Sequence, residues 1–444
     1  MSSRQDQFAF AIAALTVVVA MLFGGGPRGT GDALVHATMV PCLALAIVRF
    51  RWSDASRWDR WFIGWCIAVL ALVIAQLAPL PPHLFASLPQ RAGVAADLAH
   101  AGVGQAWRPM TLDVWATVRA ALAFMTFAAT WMLCRTLDAT AQRRLLQIAV
   151  AVGVALAFFG FAQAAAGTHA IRFHRFHHDL GAIGPFANRN HFAALMAMLA
   201  PIALAFAARA QRQGERPLFA VSLAAAFVLW LAAALSYSRA GFALASCAFL
   251  VATLWLWWPR GGARRAWMAP VMLVGVTTLA IGHYAWDGLM QRLAQDPLDD
   301  LRWQYVRHGL EAMRAYLPWG SGLGSFPWVY APFEPVAEMG PTFAGRAHND
   351  PLQIAIEAGV PGVLLMLAFV ALVVVKAARI FPIGPDPGKR DDRVENVIAI
   401  ALAVPLLHAW VDYPLRTLAV SVMAGLLLSL GGAERQVSRV PQGK

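Results

Sequence analysis

The chain has 444 residues, of which 59% are hydrophobic and only 14% charged. Soluble globular chains sit near about 45–50% apolar and about 25% charged, which excludes a soluble enzyme or a disordered chain and leaves a polytopic helical membrane protein. The net charge of +12 fits basic loops on one side of a membrane better than nucleic-acid binding.

The first apolar run, 8–24, has no small-residue cleavage site and a second run follows it, so it reads as a retained membrane helix rather than a signal peptide. Further runs lie at 33–50, 61–79, 114–134, 146–166, 190–208, 217–235, 240–258, 267–285, 351–375, 394–411 and 414–430. Each is long enough to cross a hydrocarbon core of about 30 Å. The pattern predicts an all-α fold of about twelve spanning helices in a single integral membrane unit, 1–444, with both termini on one side. Cytoplasmic termini put Arg49, Arg51, Arg57 and Arg60 in one inner loop. Arg135, Arg143 and Arg144, then Arg209, Arg212 and Arg216, then Arg260, Arg264 and Arg265 occupy the next ones. The last inner loop carries Lys376, Arg379, Lys389, Arg390 and Arg393, and the whole agrees with the positive-inside rule. Lys376, Lys389 and Lys444 are the only lysines; the other basic residues are Arg, the side chain that forks onto phosphate. Cys42, Cys66, Cys134 and Cys247 lie in apolar runs with no Cys-x-x-Cys pairing, so neither a disulfide framework nor a zinc site is expected.

Two outer segments are long. One spans 80–113 and opens on Pro79, Pro81 and Pro82; the other spans 286–350. Loops of this length are usually functional. In the second, Trp303, Val306, Leu310, Met313 and Leu317 recur at helical spacing, flanked by Arg302, Arg307 and Arg314. That pattern predicts an amphipathic helix lying along the outer membrane–water boundary.

Four outer clusters carry candidate chemistry. Gly184 to Phe192 contains Asn188, Arg189, Asn190 and His191. It enters a helix whose first N–H groups need a cap, and a helix start with an adjacent Arg is an anion site; an ordinary cap with a snorkelling Arg is the alternative. Ser236 to Gly241 forms a short turn that puts Arg239 almost in the membrane, where an ionised group needs a partner; a lipid headgroup contact is the alternative. Arg302 sits on the amphipathic helix, where contact with lipid phosphate is the plainer reading. The fourth cluster, Arg346 to Gln353 and on to Glu357, Gly359 and Gly362, marks the re-entry of the long loop. Gln353 and Glu357 are four apart and share a helix face, and His348 can accept a proton; a structural His at a helix start is the alternative.

Other features carry less. His174, His177 and His178 lie in a loop-like stretch short of acidic ligands, and Asp296, Asp299 and Asp300 read as a solvated loop, so no metal site is expected. Arg119 lies within a predicted helix and needs a partner. Asp412 and Arg416 flank the last outer turn and are expected to pair. No Gly-x-x-x-x-Gly-Lys phosphate loop occurs, which argues against nucleotide hydrolysis.

The clusters follow an order: Gly-Pro-Phe-x-Asn-x-Asn-x-x-Ala (Gly184 to Ala193), then Ser-x-Ser-Arg-x-Gly (Ser236 to Gly241). An Arg-led amphipathic helix and a Gly-rich stretch (Gly320, Gly322, Gly324, Phe326) come next, then His-Asn-x-x-Leu-Gln-x-x-x-Glu-x-Gly-x-x-Gly (His348 to Gly362). In this the chain resembles the O-antigen ligase family, within a superfamily that includes O-antigen polymerases and bacterial protein O-oligosaccharyltransferases. The likeness covers about 185 to 362; before that only the helix pattern matches. Four residues after Arg302, where many relatives carry Trp, this chain has Val306.

The resemblance implies a glycosyltransferase C-type architecture in the bacterial inner membrane. Its active site would be on the periplasmic face, with 80–113 and 286–350 as periplasmic loops. It implies transfer of a glycan from undecaprenyl diphosphate to a sugar hydroxyl of lipid A–core, without metal, nucleotide or other cofactor. His348 would activate the acceptor hydroxyl. Arg189, Arg239, Arg302 and Arg346 would hold the diphosphate. Asn188, Asn190, His191, Asn349, Gln353 and Glu357 would support them. The other readings are a polymerase, a protein O-oligosaccharyltransferase, or a lipid-linked glycan transporter. Few residues follow the last apolar run, which argues mildly against the protein-acceptor enzyme, and the gathering of polar clusters at one face argues against the transporter.

Overall fold

The structure is a computed structural model that describes residues 4–27, 29–174, 181–257, 275, 301–339, 343–380 and 393–431. The predicted span 267–285, His177, His178, Asp296, Asp299, Asp300 and the beginning of the long outer segment lie outside the described residues, apart from residue 275. The protein is an all-α polytopic membrane protein. Among the described residues, nine helices are long and apolar enough to cross a membrane. They are α1 (Arg4–Phe23), α2 (Gly29–Arg49), α3 (Arg57–Leu77), α6 (Val114–Arg135), α7 (Ala139–Ala166), α8 (Arg189–Gln213), α9 (Arg216–Leu235), α10 (Arg239–Trp257) and α13 (Asp350–Ile380). Two shorter apolar helices, α14 (Arg393–His408) and α15 (Leu418–Ser429), complete the bundle. Eleven of the expected spans are therefore found as helices.

The helix starts follow ordinary capping chemistry. Ser56 and Asp59 form a capping box on α3, and Asp113 and Asp138 cap α6 and α7 by accepting from the N–H three residues on. The centre of the bundle is α8, all of whose apolar window is enclosed by protein. It packs against α7, α9, α10 and α14. Its wall of small residues, from Ala193 and Ala194 to Ala208 and Ala210, lets neighbouring backbones approach closely, the usual basis of helix association in lipid.

The outer segment 80–113 is folded. Strands β1 (Pro79–Leu80) and β2 (Arg108–Pro109) pair antiparallel at its base and enclose α4 (Pro82–Ser87) and α5 (Ala92–His100). Arg91 between those helices is fully buried and donates to the carbonyls of Pro89, Met110 and Gly320. It ties this segment to the long outer one, where α11 (Leu301–Tyr316) and α12 (Phe326–Tyr330) build a small core of their own.

Helix α11 corrects the expected apolar stripe. Its most enclosed residues are His308, Gly309, Ala312 and Tyr316; of the expected stripe, Val306 and Met313 are half-buried against this small core, whereas Trp303 and Leu310 are exposed. Gly309 presses on Leu352, and small residues at this contact decide which face turns inward. Arg119 is exposed, with no hydrogen bond or ion pair among the described residues.

Candidate active site

The site lies where several chain ends meet: the starts of α8, α11 and α13, and the turn between α14 and α15. That turn is longer than the sequence suggests. The spans 394–411 and 414–430 leave only two residues between them, but α14 stops at His408 and α15 begins at Leu418. Pro414 helps end the helical run. The freed stretch carries Asp412, Tyr413 and Arg416.

Asp412 and Arg416 do not pair with each other. The Asp412 carboxylate is fully buried and faces α8. Asn188 donates to its Oδ2 at 3.3 Å, Asn190 donates to the same oxygen, and His191 Nε2 lies 3.2 Å from Oδ1. The backbone N–H of Tyr413 also donates to Oδ1, at 2.9 Å. Asn188 is itself the cap of α8 and accepts from the Asn190 N–H. One capping turn therefore satisfies the helix end and delivers three polar side chains to a single carboxylate. Burial alone raises a carboxyl pKa, but here the donors gathered around it, His191 first and His348 beside it, prevail and hold Asp412 well below the usual range.

His348 reaches the same carboxylate from the other side. Its Nδ1 is buried and lies 3.3 Å from Asp412 Oδ1, although not aligned for a hydrogen bond. Nε2 is left as the nitrogen on the open side. The ring stands between Tyr305, near-parallel at 6.1 Å, and Tyr413, tilted at 5.1 Å. His348 has φ of 50°, a left-handed conformation that non-glycine residues rarely hold without outside support. The support is visible. Gln353 Oε1 accepts from the Ala347 N–H, and Asn349 Oδ1 accepts from Leu352 N–H while its Nδ2 donates to the Trp410 carbonyl. The Asp350 N–H donates to the Ala409 carbonyl.

A second polar layer lies behind this one. Arg416 donates through Nε to Asp350 and through Nη1 to Glu357 Oε2 at 2.9 Å. Gln353 Nε2 donates to Glu357 Oε1 at 2.7 Å. Gln353 and Glu357 share a face as expected, but they hold the backbone ahead of His348 rather than its ring. Helix α13 is broken at Gly359, where φ is 58° and ψ −152°. The break frees the carbonyls of Ile356 and Glu357, which accept from the N–H groups of Ser321 and Gly322 in the Gly-rich stretch. A Cβ on Gly359 would stand 2.1 Å from the Pro318 carbonyl oxygen, so that position admits only glycine.

The four candidate arginines are placed differently. Arg302, at the start of α11, lies 4.0 Å from Asp412 Oδ2. Arg346 extends over the Tyr413 ring, 5.8 Å from its centroid. Burial and the nearby Arg416 lower its pKa, while Glu357, Tyr413 and Asp350 oppose the shift, and a guanidinium remains a cation through such changes. Arg189 is the half-buried first residue of α8. Arg239 is the exposed first residue of α10, whose Gly241 lies against Ala193 in the opening turns of α8. The structure thus gathers His348, Arg302, Asn188, Asn190 and His191 around Asp412, with Arg189 and Arg239 at adjoining helix starts and Arg346 in the segment that leads into α13. Among the described residues no group of three or more His, Cys, Asp or Glu side chains is arranged to hold a metal ion.

Asp412 is the residue that sequence reasoning undervalued, together with Tyr305 and Tyr413. The usable signal was the acid itself: a carboxylate bordering two apolar helices is costly unless several donors meet it.

Apolar helices around one end-on cluster of Arg, His and carboxylate groups define a polytopic membrane protein with a polar, charged site at one end of its bundle. Residues 223–367 match the model of the family described as O-antigen ligase. The match supports glycan transfer of the ligase or polymerase type. It includes Arg239, Arg302, Arg346, His348, Gln353 and Glu357; Asn188 to His191 and Asp412 come from outside it. Comparison with curated proteins found no match.

Proposed function

We propose that the protein is an O-antigen ligase of the bacterial inner membrane. It transfers a glycan from undecaprenyl diphosphate to a sugar hydroxyl of lipid A–core on the periplasmic face, with inversion and without a metal. The observation that carries this reading is the pairing of His348 with buried Asp412. Nδ1 faces the carboxylate and Nε2 is left open, the arrangement that readies an imidazole to take a proton.

In the proposed reaction the acceptor oxygen attacks the anomeric carbon and its proton passes to His348 Nε2. The bond from that carbon to the diphosphate oxygen breaks, and the lipid diphosphate leaves. The imidazolium is stabilised by Asp412, which stays ionised. Arg189, Arg239, Arg302 and Arg346 bind the diphosphate and offset the charge that grows on its bridging oxygen. A single displacement inverts the anomeric centre and needs no covalent carboxylate. Gln353, Glu357 and Asn349 hold the His348 backbone, and Asn188, Asn190 and His191 hold Asp412.

The test is reconstitution of the purified protein with lipid-linked O-antigen and uncapped lipopolysaccharide, in EDTA and without nucleotide. A new high-mass lipopolysaccharide ladder supports the ligase. Elongated lipid-linked glycan with no capped lipopolysaccharide moves the assignment to a polymerase. Movement of glycan across vesicles with no new glycosidic bond moves it to a transporter.

A further inference from the structure

The opposite end of the bundle carries a second concentration of charge that the proposed reaction does not use. Helix α3 begins there and α13 ends there. Two indole–carbonyl hydrogen bonds fasten these helices together: Trp58 Nε1 donates to the Leu372 carbonyl at 2.9 Å and Trp65 Nε1 to the Leu365 carbonyl at 2.8 Å. At the outer edge of this seam, Arg57 of α3 lies 4.8 Å from the centroid of the Trp61 ring, and Arg379 of α13 lies 6.0 Å from the same ring. Arg60 lies 5.7 Å from the ring of Trp52. All three arginines are exposed, as are both indoles.

None of the three guanidinium groups has an ion-pair partner among the described residues. The nearest acid on α3 is committed elsewhere: Asp59 turns inward and takes both forks of Arg135 at 3.0 Å. Three cations are therefore gathered on two indole faces, and among the described residues no carboxylate, the exposed Asp54 beside Trp52 included, forms an ion pair with any of them. Like charges at such spacing repel one another unless an anion joins them.

We infer that Arg57, Arg60 and Arg379, with Trp52 and Trp61, form a binding site for the phosphate headgroup of an anionic glycerophospholipid. Charge selects phosphate, and the surroundings select a lipid. Indoles at helix ends sit at the headgroup level of a bilayer. Below them the exposed face of α3 continues through Ile67 and Ile74, and that of α13 through Val374 and Leu367. A free phosphate would leave those apolar faces bare, whereas acyl chains cover them. A net anionic headgroup also suits three cations better than a zwitterionic one, whose ammonium they repel. The inference rests on reading these helices as membrane spans and is independent of the transfer chemistry.

Native mass spectrometry of the full-length protein in detergent tests it, with phosphatidylglycerol, phosphatidylcholine and inorganic phosphate titrated separately. The wild type should retain phosphatidylglycerol preferentially. The Arg57→Gln/Arg379→Gln double variant should lose about thirtyfold in affinity, since each basic residue at a membrane surface contributes about fivefold. Trp61→Leu, which removes the indole under both guanidiniums, should weaken retention without altering charge. Arg144→Gln, an exposed charge loss near the same end, should leave retention within about twofold. Equal retention by wild type and double variant overturns the site. An Arg144→Gln effect as large as that of the double variant reduces it to bulk charge and also overturns it. Competition by inorganic phosphate as effective as that of the lipid overturns the lipid assignment.

Discussion

Replacing Asp412 with Asn tests the core of the site with almost no change in volume. The carboxylate accepts from Asn188, Asn190, His191 and the Tyr413 N–H, and it faces His348 Nδ1 at 3.3 Å. In Asp412→Asn one oxygen still accepts from Tyr413, but an NH2 group then confronts the Asn188 and Asn190 amides. Losing two charge-assisted hydrogen bonds costs about 3 kcal/mol of stability. The catalytic loss is larger in kind. The imidazolium formed when His348 takes the acceptor proton has no anion beside it, and an analogous change in Ser-His-Asp enzymes costs about ten-thousandfold. We expect single-turnover transfer in proteoliposomes to fall by about a hundredfold to ten-thousandfold, with donor affinity within about threefold, because the proposed mechanism assigns diphosphate binding to the arginines. Activity within threefold of wild type, in a variant that folds, refutes the proton-acceptor reading of His348 and Asp412. Acid stability gives an independent check. The Asp412 carboxyl is depressed in the folded protein, so its contribution is complete above the unfolded value of about 3.9 and is lost as pH falls through the folded one. Below about pH 4 the wild type should lose stability relative to Asp412→Asn, and above it the difference should be flat.

Three further outcomes follow from the same geometry. His348→Ala should abolish transfer while leaving the melting temperature within a few degrees, since the ring is partly exposed and its removal leaves no unpaired charge; retained transfer removes His348 from the mechanism. Arg416→Met should leave Asp350 and Glu357 as buried carboxylates without their cation, a loss of about 3–5 kcal/mol that thermal unfolding in detergent reads directly. Gly359→Ala should destabilise by well over about 1 kcal/mol, because the added methyl meets the Pro318 carbonyl and φ is positive, and transfer should fall with it; a neutral result on both counts refutes the broken-helix reading.

Apolar run length and capping chemistry made the helices legible in the sequence, because a chain in lipid has few ways to satisfy its backbone. The last two spans were legible as existing but not as ending: hydropathy carried 394–411 past the true stop at His408 and hid the turn that holds Asp412. Periodicity likewise found α11, but only part of the face it buries. Trp303 and Leu310 look like core in any count of apolar residues, yet Gly309 and Ala312 permit the closer approach to α13, and packing follows fit. Within the site, each polar residue was visible but its partner was not. Asp412 and Arg416 are four apart and of opposite charge, and local reasoning pairs them. The fold instead sends one to α8 and the other to α13, contacts that no spacing rule encodes.

The division between these two anchors explains why the site needs its buried layer. Arg416, Asp350 and Glu357 never reach the open side of His348. They fix the backbone at the start of α13, and with Gln353 and Asn349 they hold His348 in a conformation it would not keep alone. A base in that position must not relax when charge appears on it, because reorganisation at the moment of reaction adds to the barrier. The arginines face the opposite requirement. In the proposed reaction they must meet a flexible lipid diphosphate and release it, which suits side chains that border the site with partial exposure. A rigid His348–Asp412 unit bordered by adaptable arginines is therefore the arrangement expected of a transferase whose chemistry is proton removal beside a leaving diphosphate. Mutations in the buried layer should accordingly lower the rate of transfer, whereas mutations among the arginines should first weaken donor binding.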